Sequence, residues 1–209
     1  MHLSNPPATL VDTLAARGDA RGTAIRMGAT LFVVALTAAA AQISAPLPFT
    51  DVPFTFQPMV VLLGGLALGS RLAVASQLLY LMAGIAGLPV FAASATLPPG
   101  ALRLIGPTGG YLMAYPVAAL LVGYLAERGF DRRYLSSVLA MLAGLLVIYG
   151  CGTTWLAFFA RMTTQAGPLG LQTAFFAGVY PFIVADLFKL LGAAAILPGF
   201  WRLFGTGRH

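Results

Sequence analysis

Six apolar runs decide what this chain can fold into. They span residues 24–43, 57–68, 72–88, 109–126, 134–160 and 172–197. The charged side chains within them are Arg26, at the entrance of the first, and Asp186 and Lys189 in the last. A helix of roughly 20 apolar residues crosses the hydrocarbon of a bilayer. Inside lipid every backbone N–H and C=O must be paired within the protein, which a helix does by itself. The runs therefore predict an all-α integral membrane bundle of six transmembrane helices, the second of them shortened. Composition excludes the soluble alternative. The chain is 59% hydrophobic and 9% charged, where a soluble domain carries about a quarter charged residues. A chain of 209 residues leaves too many side chains near its skin to hide that apolar surface from water.

Several function classes fall away. The two histidines, His2 and His209, stand at the chain ends, so no span carries one. That argues against zinc or haem chemistry and against a Ser-His hydrolase in the membrane. With one acid and one lysine in the spans, general acid–base catalysis has few options, so no enzyme is expected. Cys151, the single cysteine, stands between Gly150 and Gly152 and reads as a small packing residue. No GxxxxGK[ST] phosphate loop is present. The net charge of +6 would suggest nucleic acid in a soluble protein; here it reads as membrane orientation.

Arg17, Arg21, Arg26, Arg71, Arg128, Arg132, Arg133, Arg202 and Arg208 fall on one side of the predicted spans, and only Arg103 and Arg161 on the other. The positive-inside bias places both termini in the cytoplasm, and an even number of spans agrees. The expected organisation is a cytoplasmic N-terminal segment (1–23), a six-helix transmembrane substrate-binding domain (24–200) and a cytoplasmic tail (201–209). Three long outer loops follow. The first, SAPLPFTDVPFTF at 44–56, is rich in proline and phenylalanine and reads as an irregular loop over the mouth of the protein. The second covers 89–107 and the third 161–171.

The chemistry concentrates in the sixth span, GVYPFIVADLFKLLGAAAIL. A charge at the centre of a span costs roughly 2.5–3.5 kcal/mol on insertion scales, so it needs a partner or a purpose. Asp186 and Lys189 are three residues apart and share a helix face. Together they offer an acceptor and a donor, which suits a cyclic urea or amide; a self-neutralising structural pair is the alternative. Pro181, five residues before Asp186, is expected to kink the helix. Arg103, in an apolar outer loop, is a candidate clamp for a ligand carboxylate. In GPTGGYL at 106–112, Thr108 and Gly109 open a helix whose free N–H groups and bare backbone permit close approach, and Tyr111 adds a flat ring. In the first span Ala35 and Ala39 form one small-xxx-small face, and Thr37 and Ala41 another. Either serves packing within the chain or docking of a second membrane protein.

Four segments in order, AQISAPLPFTDVPFTFQ at 41–57, SQLLYLMAGIAGLPVFA at 76–92, LIGPTGGYL at 104–112 and GVYPFIVADLFK at 178–189, resemble the BioY family. Its members are the biotin-specific substrate-binding (S) components of energy-coupling-factor transporters, and the likeness covers about residues 24–198. The resemblance implies an S-component fold with an outer pocket closed by the loops after spans one, three and five. It implies that Asp186 and Lys189 contact the ureido ring of biotin and that Tyr111 and Gln57 line the pocket. The polar amide that some members carry after VFA is absent, Ala93 and Ser94 following instead. The resemblance also implies that Ala35 and Ala39 meet a transmembrane coupling (T) component, which binds two cytoplasmic ATPases, in a bacterial cytoplasmic membrane. No cofactor other than the ligand biotin, and no nucleic acid, is implied. A solitary or oligomeric biotin transporter working without ATPase, and an S component for another vitamin, remain as further readings of the same pocket.

Overall fold

The computed structural model describes residues 9–15, 20–94, 97–160 and 169–204. Among the described residues the chain is mostly helical. Its helices are α1 (Leu10–Leu14), α2 (Ala20–Gln42), α3 (Gln57–Leu68), α4 (Ser70–Ile85), α5 (Leu102–Ile105), α6 (Gly109–Ala126), α7 (Tyr134–Phe158), α8 (Gly170–Gly178), α9 (Ile183–Ala194) and α10 (Ile196–Phe204). Two short strands, β1 (Ser44–Leu47) and β2 (Thr50–Thr55), stand between α2 and α3. Ala20–Gln42, Gly109–Ala126, Tyr134–Phe158 and the stretch Ile183–Leu203 are long and apolar enough to cross a membrane; α3 and α4 are shorter apolar helices.

The core lies where α6 packs against α3, α4 and α7, with Leu62, Leu66, Ala118, Ala119, Val122 and Ile148 buried at their contacts. Small residues set the spacing. A Cβ on Gly144 would fall 2.4 Å from Leu62, and one on Gly123 would fall 2.5 Å from the Ser70 amide nitrogen. Glycine there lets backbones approach as membrane helices require. The α3–α4 turn passes through Gly69 at φ 77°. Its first free helix N–H groups are met by Glu127, whose Oε1 accepts from the Ser70 amide and hydroxyl, both at 2.7 Å.

Two expectations are corrected. Residues 44–56 are not an irregular loop: β1 and β2 pair antiparallel, Ser44 opposite Thr55 and Leu47 opposite Thr50, with a register shift between Ala45 and Leu47. Pro46 and Pro53 do not prevent this, because a two-stranded ribbon has only edges, where a missing N–H is tolerated. Nor is the sixth run one helix over 172–197. It divides into α8 and α9 around a turn at residues 179–182, and α10 continues beyond it. Pro181, expected to kink the helix, lies within this break; it supplies no N–H and stops α8 from continuing. The third outer loop falls almost wholly on 161–168, outside the described residues, as do Arg17, Arg161, Arg208, His2 and His209.

Candidate functional site

The break in the sixth run builds one wall of a cavity. In an unbroken helix the Gly178 carbonyl would take the Phe182 amide; here that amide turns to Val179 instead. The freed carbonyl accepts from the Tyr111 hydroxyl at 2.9 Å. Tyr111 fits because its neighbours lack side chains: a Cβ on Gly178 would stand 2.0 Å from the Tyr111 oxygen, and one on Gly152 would stand 2.3 Å from its ring. The ring is therefore a rigid piece of wall, with its hydroxyl already engaged.

The cavity holds about 620 Å³ of free space, counting the part open to solvent. Val52, Pro53, Phe91, Ala92, Leu112, Ile148 and Phe182 make it mainly apolar; Gln57, Arg103, Thr108, Tyr149 and Asp186 supply polar groups. The hairpin contributes Val52, Pro53 and Thr55, so the strand that replaces the expected loop does border the mouth.

Asp186 is 9% exposed. Its Oδ2 accepts from the Tyr149 hydroxyl at 2.6 Å and its Oδ1 from the Lys189 ammonium at 2.8 Å. Lys189 does not line this cavity. It stands behind the carboxylate, beside a smaller crevice walled by Met59, Leu62, Met141 and Leu145. There it also donates to the Thr55 carbonyl at 2.8 Å and lies 3.4 Å from the Phe54 ring centroid. A buried ion pair survives when further hydrogen bonds complete it, and this one has both partners so completed.

Arg103 is 5% exposed, and its Nε donates to the Pro98 carbonyl at 3.0 Å. Among the described residues no carboxylate pairs with it. Burial pushes its guanidinium below the ordinary pKa by disfavouring the charged form. A ligand anion in the cavity would offset that cost.

The turn from α5 into α6 places the remaining groups. A Cβ on Gly109 would stand 1.8 Å from the Leu104 carbonyl oxygen, so the close return of the chain needs glycine there. The Trp155 indole donates to the Gly106 carbonyl at 2.9 Å and ties this turn to α7. Thr108 precedes α6 without capping it; its hydroxyl is buried and has no partner among the described residues. A buried hydroxyl left unmatched costs free energy unless something arrives to meet it. Gln57 donates to the Tyr80 hydroxyl, which donates to the Val90 carbonyl, tying α3 to the second outer loop through α4.

The structure thus gathers Asp186, Tyr111, Gln57, Arg103 and Thr108 on one cavity, leaves Gly109 out of its lining, in the turn into α6, and turns Lys189 behind it. Tyr149 is a site residue that sequence reasoning missed. Its signal was a tyrosine at the middle of the fifth apolar run, away from the ends where Tyr134 stands, in a chain with a single carboxylate inside its apolar runs. Away from the cavity, Ala35 and Ala39 are exposed on the outer side of α2, while Thr37 and Ala41 are buried against the bundle. The two alanine faces thus part company: only the second packs within the chain. Among the described residues no group of three or more His, Cys, Asp or Glu is assembled to hold a metal ion.

Comparison with known proteins places this geometry. A family model described as "BioY family" matches residues 15–206. The chain is 43% identical over 163 residues to a probable biotin transporter BioY of Pyrococcus horikoshii, covering 78% of this chain and 88% of that one. It is 36% identical over 162 residues to the biotin transporter BioY of Thermotoga maritima, covering 78% and 87%. A crystal structure of the S-component for biotin from an ECF-type ABC transporter shares the fold, with a TM-score of 0.76 at 21% identity, over 89% of this chain and 95% of that one.

Proposed function

The chain belongs to the BioY family, and from that premise we propose that it is the biotin-binding membrane subunit of a vitamin importer. In this reading it captures biotin at the outer face, and a T component with two ATPases drives import. The observation that carries the reading is the pairing, on one apolar cavity, of an acceptor, Asp186, and a cation, Arg103, that faces no carboxylate among the described residues. Biotin is complementary to that pair, with N–H donors on its ureido ring and a carboxylate on its tail.

Asp186, oriented by Tyr149, accepts from a ring N–H. Lys189 has three N–H groups and spends two on Thr55 and Asp186; the third serves the ring carbonyl once the side chain turns past the carboxylate. Arg103 takes the tail carboxylate, for which its forked donors are suited. Thr108 offers its unmatched hydroxyl, Gln57 its amide, and Tyr111 and Gly109 shape the wall. The exposed face with Ala35 and Ala39 is the docking surface for the T component.

In the same reading α3 and α4 also cross, completing six spans over 24–200, with the 1–23 segment and the 201–209 tail in the cytoplasm of a bacterium. The arginines support this. Arg71, Arg128, Arg132 and Arg133 lie at one end of the bundle, where Glu127 caps α4, and Arg103 at the other.

Equilibrium binding of biotin to the purified, detergent-solubilised chain tests the pocket. Saturable binding of one biotin per chain is expected, and a folded chain that binds none would overturn the reading. For coupling, Ala35→Trp is expected to abolish uptake by the assembled importer while leaving biotin binding intact. Undiminished uptake, or uptake by this chain without coupling subunits, would remove the ATP-driven part.

A further inference from the structure

The hairpin over the cavity cannot stand by itself. It has two strands of four and six residues, and an isolated two-stranded hairpin is marginally stable at best. Its tip is open, with Phe49 59% exposed. Val52 is buried in the core, and a second set of contacts holds its last residues. Phe54 lies near-parallel to Phe182, at the entry of α9, with centroids 6.5 Å apart and planes at 19°. The Lys189 ammonium sits 3.4 Å from the centroid of Phe54 and 4.8 Å from that of Phe56. The same ammonium donates to the Thr55 carbonyl and to Asp186. One cation thus gathers two rings and a carbonyl of the hairpin at one end and the cavity's carboxylate at the other.

We propose that Lys189 is a positioning residue that clasps the β1–β2 hairpin over the cavity, so that hairpin closure responds to what Asp186 binds. A cation over an aromatic face gains most where water is excluded, and Lys189 is largely buried here. When a ligand N–H donates to Asp186, it draws on the carboxylate charge that Lys189 shares. The balance of that ammonium between carboxylate, rings and Thr55 carbonyl then shifts. The hairpin is the low-stability element of the bundle, and such elements are the ones that ligands bias. The clasp is present without ligand; only its coupling to occupancy rests on the biotin reading.

Hydrogen–deuterium exchange of peptides covering 44–56 tests this in the detergent-solubilised full chain, with and without biotin. In ligand-free Lys189→Met, hairpin amides are expected to exchange about tenfold faster than in the parent, while α6 is unchanged and reports an intact bundle. Lys189→Arg, which keeps a cation for the rings and donors for Thr55 and Asp186, is expected to restore protection to within about threefold. Phe54→Leu is expected to accelerate exchange by a smaller factor, and to add little to Lys189→Met because both act on one contact. At biotin concentrations shown by titration to saturate each protein, biotin is expected to change hairpin exchange in the parent and not in Lys189→Met. Unchanged hairpin exchange in a folded Lys189→Met would overturn the clasp. So would equal acceleration by Lys189→Arg, which would mean that packing rather than charge holds the hairpin. If Lys189→Met loses α6 protection, Phe54→Leu decides, and exchange equal to the parent's would overturn the proposal. A parent that binds no biotin, yet frees its hairpin in Lys189→Met, would sink the biotin reading and leave the clasp standing.

Discussion

Asp186 gives one carboxylate oxygen to the Tyr149 hydroxyl and the other to the Lys189 ammonium, which lies over the Phe54 ring. Asp131, between α6 and α7, gives one oxygen to the Trp201 indole N–H at 2.7 Å and faces the Arg132 Nε at 3.5 Å with the other. The Arg132 guanidinium lies 3.5 Å from the Trp201 ring centroid. The parts are alike, an acid, an aromatic donor, a cation, and a ring beneath the cation, but the Arg132 contact is an ion pair without a hydrogen bond, which leaves Asp131 Oδ1 without a hydrogen-bond partner among the described residues. The surroundings differ. Asp131 is 0% exposed, and its partners close over it, fastening α10 to the α6–α7 turn. Asp186 borders a cavity that also holds a guanidinium with no carboxylate beside it and a hydroxyl with no hydrogen-bond partner among the described residues. A paired buried acid is therefore no sign of a site by itself. Several polar groups facing one ligand-sized space are the sign, because a single ligand can meet them together, whereas the Asp131 oxygen faces no such cavity among those described.

The comparison sharpens most at Arg103. Arg103→Met is expected to weaken biotin binding by about 2–3 kcal/mol, the scale of a hydrogen bond to a charged group. It is also expected to erase the preference for biotin over its methyl ester, which carries no charge. Titration of both ligands checks this, and a preference kept in the variant would move the carboxylate elsewhere. At the other aspartate, Asp131→Ala is expected to lower unfolding stability by about 1–3 kcal/mol by orphaning the Trp201 donor, with biotin affinity retained. Thermal unfolding beside a binding titration separates the two effects, and a loss of affinity would show that the Asp131 end is part of the site. Tyr149→Phe keeps the ring and removes one donor to Asp186, so a loss of about 1 kcal/mol in biotin binding is expected. Thr108→Val is expected to be smallest, under about 1 kcal/mol and visible only with ligand present, since it removes a hydroxyl that has no protein partner to lose.

Much of the cavity end was legible in the sequence, for physical reasons. A carboxylate and a lysine inside an apolar run demand an explanation, and three residues of helix put them side by side. GPTGGYL announced a close turn, and Gly109 proves to have no room for a Cβ. The α6 boundaries follow directly from the apolar run 109–126. What was not legible depends on residues far apart in sequence. Tyr149 reaches Asp186 across 37 residues and Lys189 reaches Thr55 across 134; spacing within one helix says nothing of either. The hairpin was hidden because its prolines read as loop and its strands are too short to show alternation. At the opposite end, Asp131 and Arg132 read as ordinary charges of a turn, since nothing local shows Trp201 folding back onto them.

The most direct test of the account is biotin affinity measured side by side in the parent, Asp186→Asn and Asp131→Asn. The account predicts a loss of roughly 2 kcal/mol or more at Asp186, where a buried polar partner of the ligand is removed, and parental affinity at Asp131. Equal losses at the two positions, or none at Asp186, would contradict it.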